Sequence, residues 1–132
     1  MRLCYGLFLV FLVACGSSTS YSSNPPPPPP PAPPPAPNSV FVAVSNFQFT
    51  PDTVKLTVGT PVRWTNEGSV SHSVTSDSTG SFNSGTLSNG GVDQYGMPYA
   101  GSTYDRTFAT AGTYPYHCSF HRQMKGVVIV SN

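Results

Sequence analysis

Eleven of the chain's 15 prolines lie between Pro25 and Pro37, and only Ala32 and Ala36 interrupt them. Proline fixes φ and carries no amide donor, so this run can be neither helix nor ladder strand. It is expected to be a polyproline II rod of ~40 Å, at ~3.1 Å per residue. Two uses are open to such a rod: a spacer, or a docking peptide for a module that reads proline. No Arg or Lys stands near the prolines to specify docking, which favours the spacer. The run splits the chain, leaving residues 38–132 as one small domain with a limited reserve of stability.

Ahead of the run, Arg2 supplies one positive charge and Leu3 to Val13 are almost wholly apolar. That stretch is short of the ~20 residues a bilayer-spanning helix needs. It has the pattern of a secretory signal. Leu12-Val13-Ala14-Cys15 resembles the bacterial lipobox. The resemblance implies cleavage before Cys15 and lipid on its sulfur; the alternative is an ordinary signal peptide cut nearby. The expected organisation is a signal peptide at 1–14, a lipidated Cys15 with a Ser- and Pro-rich linker at 15–37, and a domain at 38–132. The expected location is a bacterial membrane, with the exported domain facing the periplasm or the cell surface. Gly16 after the lipid cysteine leans towards the outer membrane if the cell is Gram-negative.

With Cys4 in the removed segment and Cys15 lipidated, Cys118 is the one cysteine left for the domain. It cannot form an intramolecular disulfide there. A thiol in an oxidising compartment calls for another explanation, and metal ligation is one.

From Asn38 onward there are five basic residues (Lys55, Arg63, Arg106, Arg122, Lys125) and five acidic ones (Asp52, Glu67, Asp77, Asp93, Asp105). This balance gives no footprint for nucleic acid and no polybasic membrane patch. The acids are scattered, with no carboxylate pair for hydrolysis.

The domain reads as all-β. Val40, Val42 and Val44 alternate, as do Val54, Leu56 and Val58, and Val62-Arg63-Trp64-Thr65 continues the pattern after a Gly59-Thr60-Pro61 turn. Phe47 and Phe49 fall on the opposite parity to the first set. A bulge near Ser45-Asn46 is expected to keep both sets inward. Tyr114, Tyr116 and Cys118 share one face of a later strand, and Val127 to Val130 form a last buried one. Pro115 interrupts the first of these and predicts a gap, bulge or edge beside it. No stretch has helical periodicity, so the expectation is a sandwich or barrel.

Chemistry concentrates in Cys118-Ser119-Phe120-His121-Arg122-Gln123-Met124. A thiolate, an imidazole and a thioether suit copper cycling between Cu(I) and Cu(II), and the loop has no carboxylate for a hard ion. His72 offers a second imidazole. Two His and one Cys with a weak axial Met make a blue-copper set. Singly, Cys118 could be an inert buried thiol, His72 a loop cap, His121 a surface imidazole and Met124 core filler. His117 neighbours Cys118 on a strand, so its side chain points to the other face. Met97 is equally soft, but nothing places it with the others.

Gly112-Thr113-Tyr114-Pro115-Tyr116-His117 before this loop and Lys125 to Val130 after it resemble the cupredoxin family. So do Phe49-Thr50-Pro51, Val58 through Asn66, His72, and Phe82-Asn83-Ser84-Gly85. The resemblance covers Val40 to Val130, and the short spacing of His121 and Met124 is most similar to amicyanin. It implies a Greek-key β-sandwich of about eight strands. It implies one type 1 copper held by His72, Cys118, His121 and Met124, with Ser73 and Asn66 supporting the ligands. Ser73 stands where the family usually has Asn, and that position braces the two ligand loops. Amides near Phe120 are candidates to donate to the Cys118 sulfur. Residues 89–101 look inserted, as a surface loop or a partner contact.

The resemblance also implies a single-electron carrier rather than an enzyme, expected as a monomer. Its partners would be exported redox proteins (cytochromes, oxidoreductases or oxidases) that dock briefly on an apolar patch formed by His121 and Phe120. Two rivals stand beside this reading: a copper storage or delivery protein with the same ligands, and a metal-free surface module on a proline stalk.

Overall fold

The structure, a computed structural model, describes residues 30–79 and 81–132. The expectations for the signal peptide, for Cys15 and for the start of the linker lie outside the described residues. The strands are β1 (Val40–Ser45), β2 (Gln48–Thr50), β3 (Thr53–Thr57), β4 (Pro61–Asn66), β5 (Thr75–Ser76), β6 (Gly91–Val92), β7 (Pro98–Tyr99), β8 (Thr103–Thr107), β9 (Gly112–His117) and β10 (Lys125–Ser131). Two four-stranded sheets, β2-β1-β4-β8 and β3-β10-β9-β5, form the all-β Greek-key sandwich that the sequence predicts. β6 and β7 stand apart as a two-stranded hairpin within residues 89–101.

The period-2 pattern decides what is buried. β1 sends Val42 and Val44 inward, β3 sends Val54 and Leu56, and β10 sends Val128 and Val130. Aromatic rings bridge the sheets. The Tyr116 ring centroid lies 4.8 Å from Phe49 and 5.6 Å from Trp64, both edge-on. Each such pair adds ~0.5–1.5 kcal/mol beyond burial. Gly126 faces Tyr116 across β9–β10, and a Cβ there would overlap the phenol ring.

Pro115 sits where the sequence predicts. Opposite it, the Val127 amide donates to Asp52, away from β9. The missing donor of Pro115 therefore faces the β5 side at the edge of the sheet, where Asp77, just past Ser76, donates its amide to the Pro115 carbonyl at 3.0 Å and the ladder ends for want of the return bond.

Phe47 corrects the sequence reading. Ser45 pairs with Gln48, so Asn46-Phe47 is a two-residue turn and not a bulge. A tight turn resets the inward parity, and Phe49 re-enters the core while Phe47 is 55% exposed. Its φ of +69° is the left-handed value such a turn requires, rare for an aromatic residue.

Candidate metal centre

β4 ends at Asn66, and its buried carboxamide organises the next loop. Nδ2 donates to the carbonyls of Val70 and Leu87, each at 2.9 Å, and Oδ1 accepts the Gly68 amide at 2.9 Å. Leu87 in turn pairs with His72 through both backbone bonds, at 3.0 and 2.8 Å. This double attachment fixes the His72 imidazole in the interior, fully buried. Burial, then the charge of a protonated His121, lowers the His72 pKa below its ordinary value. The neutral ring keeps a lone pair free for a metal.

The other donors come from one short loop after β9. The Met124 carbonyl accepts the Cys118 amide at 3.0 Å, the His121 amide reaches the Cys118 carbonyl at 3.2 Å, and the Met124 amide reaches the His121 carbonyl at 2.8 Å. These bonds close the loop on itself. Cys118 and Met124 are buried while His121 is partly exposed.

The Cys118 Sγ lies 3.7 Å from His72 Nδ1 and 3.6 Å from His121 Nδ1. The three donor atoms all fall within 4.8 Å of one another. Ligands ~2.0–2.3 Å from one ion in a trigonal plane are ~3.5–4.0 Å apart, so the spacing fits one metal. A thiolate with two imidazoles and no carboxylate selects copper over hard ions.

Ser73 carries the brace that the sequence assigns to its position. Its amide donates to Cys118 Sγ at 3.3 Å. Amides near Phe120 were candidates for this bond; the donor on the sulfur is the Ser73 amide, in the segment leaving His72. The Ser73 hydroxyl accepts the Ser119 amide at 2.8 Å and lies 3.2 Å from Thr75 Oγ1, which lies 2.8 Å from Ser119 Oγ. Three hydroxyls thus span the two ligand loops. The sequence pointed to Ser73, but Thr75 and Ser119 gave no signal of their own.

At the surface, the Phe47 ring stands edge-on to His121, with centroids 5.0 Å apart. The Phe47 turn is tied to the His72 loop by Asn46, whose carboxamide donates to Ser69 Oγ and accepts the Ser69 amide, both at 3.0 Å. Phe120 is 54% exposed beside His121. The apolar rim therefore includes Phe47, which the parity reading placed in the core. His117 points outward as expected, its Nδ1 2.5 Å from Asp77 Oδ1. Met97 lies exposed on the β6–β7 hairpin, where it lines a groove with Pro30, Pro31 and Pro33.

Fold and site together define a class. Residues 38–131 match the family of copper binding proteins described as plastocyanin/azurin. The chain belongs to that family, the cupredoxins, and His72, Cys118, His121 and Met124 are arranged as a type 1 copper site. Among individual relatives, it is 30% identical over 95 residues to amicyanin of Paracoccus denitrificans, covering 72% of this chain and 67% of that protein. Its structure resembles a purple cupredoxin from Nitrosopumilus maritimus with a TM-score of 0.57 and 28% identity, covering 70% of this chain and 99% of the other. It also resembles a reduced amicyanin variant with a TM-score of 0.55 and 28% identity, over 73% and 85% of the two chains.

Proposed function

We propose that the protein is a single-electron carrier, exported and held at a bacterial membrane by lipid on Cys15. The observation that carries the electron-carrier reading is the donor cluster itself: a buried cysteine sulfur and imidazole facing a second imidazole at the rim, with Met124 closing the loop; the anchor rests on the lipobox-like Leu12-Val13-Ala14-Cys15. Bound copper would supply the one-electron couple. The protein's residues do the rest. His72 and Cys118 are held by the sandwich, which would keep these two donors in place as the bound ion gained or lost an electron. The Ser73 amide withdraws charge from the sulfur through its hydrogen bond. His121 offers a short path to solvent, and Phe47 and Phe120 exclude water around it. A small apolar rim favours brief docking over tight association. The partners proposed are exported redox proteins.

Copper-loaded protein should show an intense visible band in the Cu(II) state and none after chemical reduction. Cys118→Ser should lose the band while keeping the fold. A copper-loaded wild-type protein without colour would refute the reading. Fast reversible voltammetry separates the carrier from a delivery protein, which would instead pass copper to a metal-free acceptor. For the anchor, Cys15→Ser should move the protein from the membrane to the soluble fraction.

A further inference from the structure

Arg63 is out of place for a simple sandwich. In β4 its neighbours Val62 and Trp64 fill the core, so Arg63 belongs to the outer face of the β2-β1-β4-β8 sheet. An outward arginine is normally solvated, yet this one is only 6% exposed. What covers it is the end of the proline run. Nη1 donates to the Pro33 carbonyl at 2.6 Å and Nη2 to the Pro34 carbonyl at 3.4 Å. Asp105, opposite on β8, holds the guanidinium from the other side, at 2.6 Å to Nε and 2.5 Å to Nη2. The arginine is thus a bridge from sheet to prolines.

Two more features belong to the same arrangement. Asn38 has a left-handed φ of +63°, and both the amide and the hydroxyl of Ser39 donate to the Ala36 carbonyl, at 3.2 and 2.6 Å. This built turn lays the proline segment over the sheet that the chain then enters at β1. The β6–β7 hairpin supplies a second wall. Pro30, Pro31 and Pro33 face Met97, Pro98 and Tyr99 across a groove of about 750 Å³. A polyproline strand makes no internal hydrogen bonds, so its carbonyls are free acceptors, and proline rings suit an apolar wall with an aromatic ring such as Tyr99.

We propose that Arg63, Asp105 and the β6–β7 hairpin form a clamp for the chain's own proline-rich segment. The clamp is independent of the copper reading. It gives one role to two features that stood apart in the sequence, the proline run and the inserted residues 89–101. It also gives the stalk a direction. Ser39 lies beside the start of β1, whose Val40 pairs with Val62, while Pro30 lies by Gly101 to Thr103, next to Asn66 and the copper end. The segment from Pro30 to Ser39 therefore runs from the copper end towards the opposite end.

The test uses the ¹⁵N-labelled, metal-free full chain in detergent, read by backbone relaxation. Ala32 is the reporter, because it carries the one amide among the clamped prolines. The expected order parameter is that of the strands, about 0.85, against below about 0.6 for a free tether. Arg63→Gln should drop Ala32 into the free range. The double change Pro33→Gly with Pro34→Gly keeps the two carbonyls but loses the fixed φ that aims both at Arg63, so it should also move Ala32 towards the free range, and it leaves the domain untouched should Arg63→Gln fail to fold. An Ala32 already mobile in the wild type, or rigid in the proline variant, would overturn the clamp. Rigidity that fades on dilution would also overturn it, by assigning the contact to a second copy.

Discussion

The two histidines of the site are held in opposite ways. His72 is locked from behind: Asn66 ties Leu87 and Val70, and Leu87 ties the His72 backbone on both sides. His121 sits on a loop closed by its own backbone bonds and braced from outside at Ser119 and Cys118, while its ring lies between His72 and Phe47 at the rim. The first arrangement belongs to the sheet, and the second to the surface. A carrier needs both. One ligand fixes the metal's position, and the other brings it within reach of a partner without adding a charged rim. Substitutions behind His72 should therefore cost stability, while those around His121 should change reactivity at little cost to the fold.

The largest effect is expected at Asn66. Asn66→Ala strands the Val70 carbonyl and the Gly68 amide and takes one of two donors from the Leu87 carbonyl, and should lower the unfolding free energy by about 2–4 kcal/mol in urea titrations. Ser73→Ala should cost less, about 1–2 kcal/mol, because the Ser119 amide loses its acceptor. It should also shift the reduction potential, and Ser73→Asn should restore much of the brace. If Ser73→Ala moved neither quantity, the brace between ligand loops would be wrong.

A pH series sharpens the contrast without any mutation. In the metal-free protein, folding lowers the His72 pKa, so the unfolded chain binds that proton more readily. The resulting stability is present above pH ~6.5 and is lost as pH falls through that value towards the lowered folded pKa. Unfolding free energies measured from pH 8 to pH 5 should fall on the acid side, and His72→Gln should flatten that slope.

The smallest effect on stability is expected at Phe47. Phe47→Gly loses a ring contact of ~0.5–1.5 kcal/mol. It also relieves a left-handed backbone that costs an L-residue ~1–2 kcal/mol. The melting temperature should barely move, while electron self-exchange should slow as the rim loses its ring. A Phe47 variant as unstable as Asn66→Ala would erase the distinction between the two sides.

Much of this was legible in the chain because the relevant signals are local. Each donor announces its own chemistry, and Cys118, His121 and Met124 arrive within one loop. Strict alternation marks β1, β3 and β4. The parts that escaped are those set by a change of direction or by contacts across sequence. Phe47 was misread because a two-residue turn reverses parity, and parity counting assumes an unbroken strand. Thr75 and Ser119 meet only because their loops face each other across 44 residues. Arg63 looked like an ordinary outward cation of a strand, since its partners are proline carbonyls, which every residue type can offer.

The direction of the proline segment bears on where electrons can go. With lipid on Cys15 as proposed, a linker that continued the line of the clamped segment beyond Pro30 would hang the domain with its copper side towards the bilayer. Its encounters then take place in a thin layer above the membrane, as a search in two dimensions. Partners fixed in that same layer would meet the copper rim directly. A freely diffusing protein arriving from the aqueous side would meet the far end of the sandwich first.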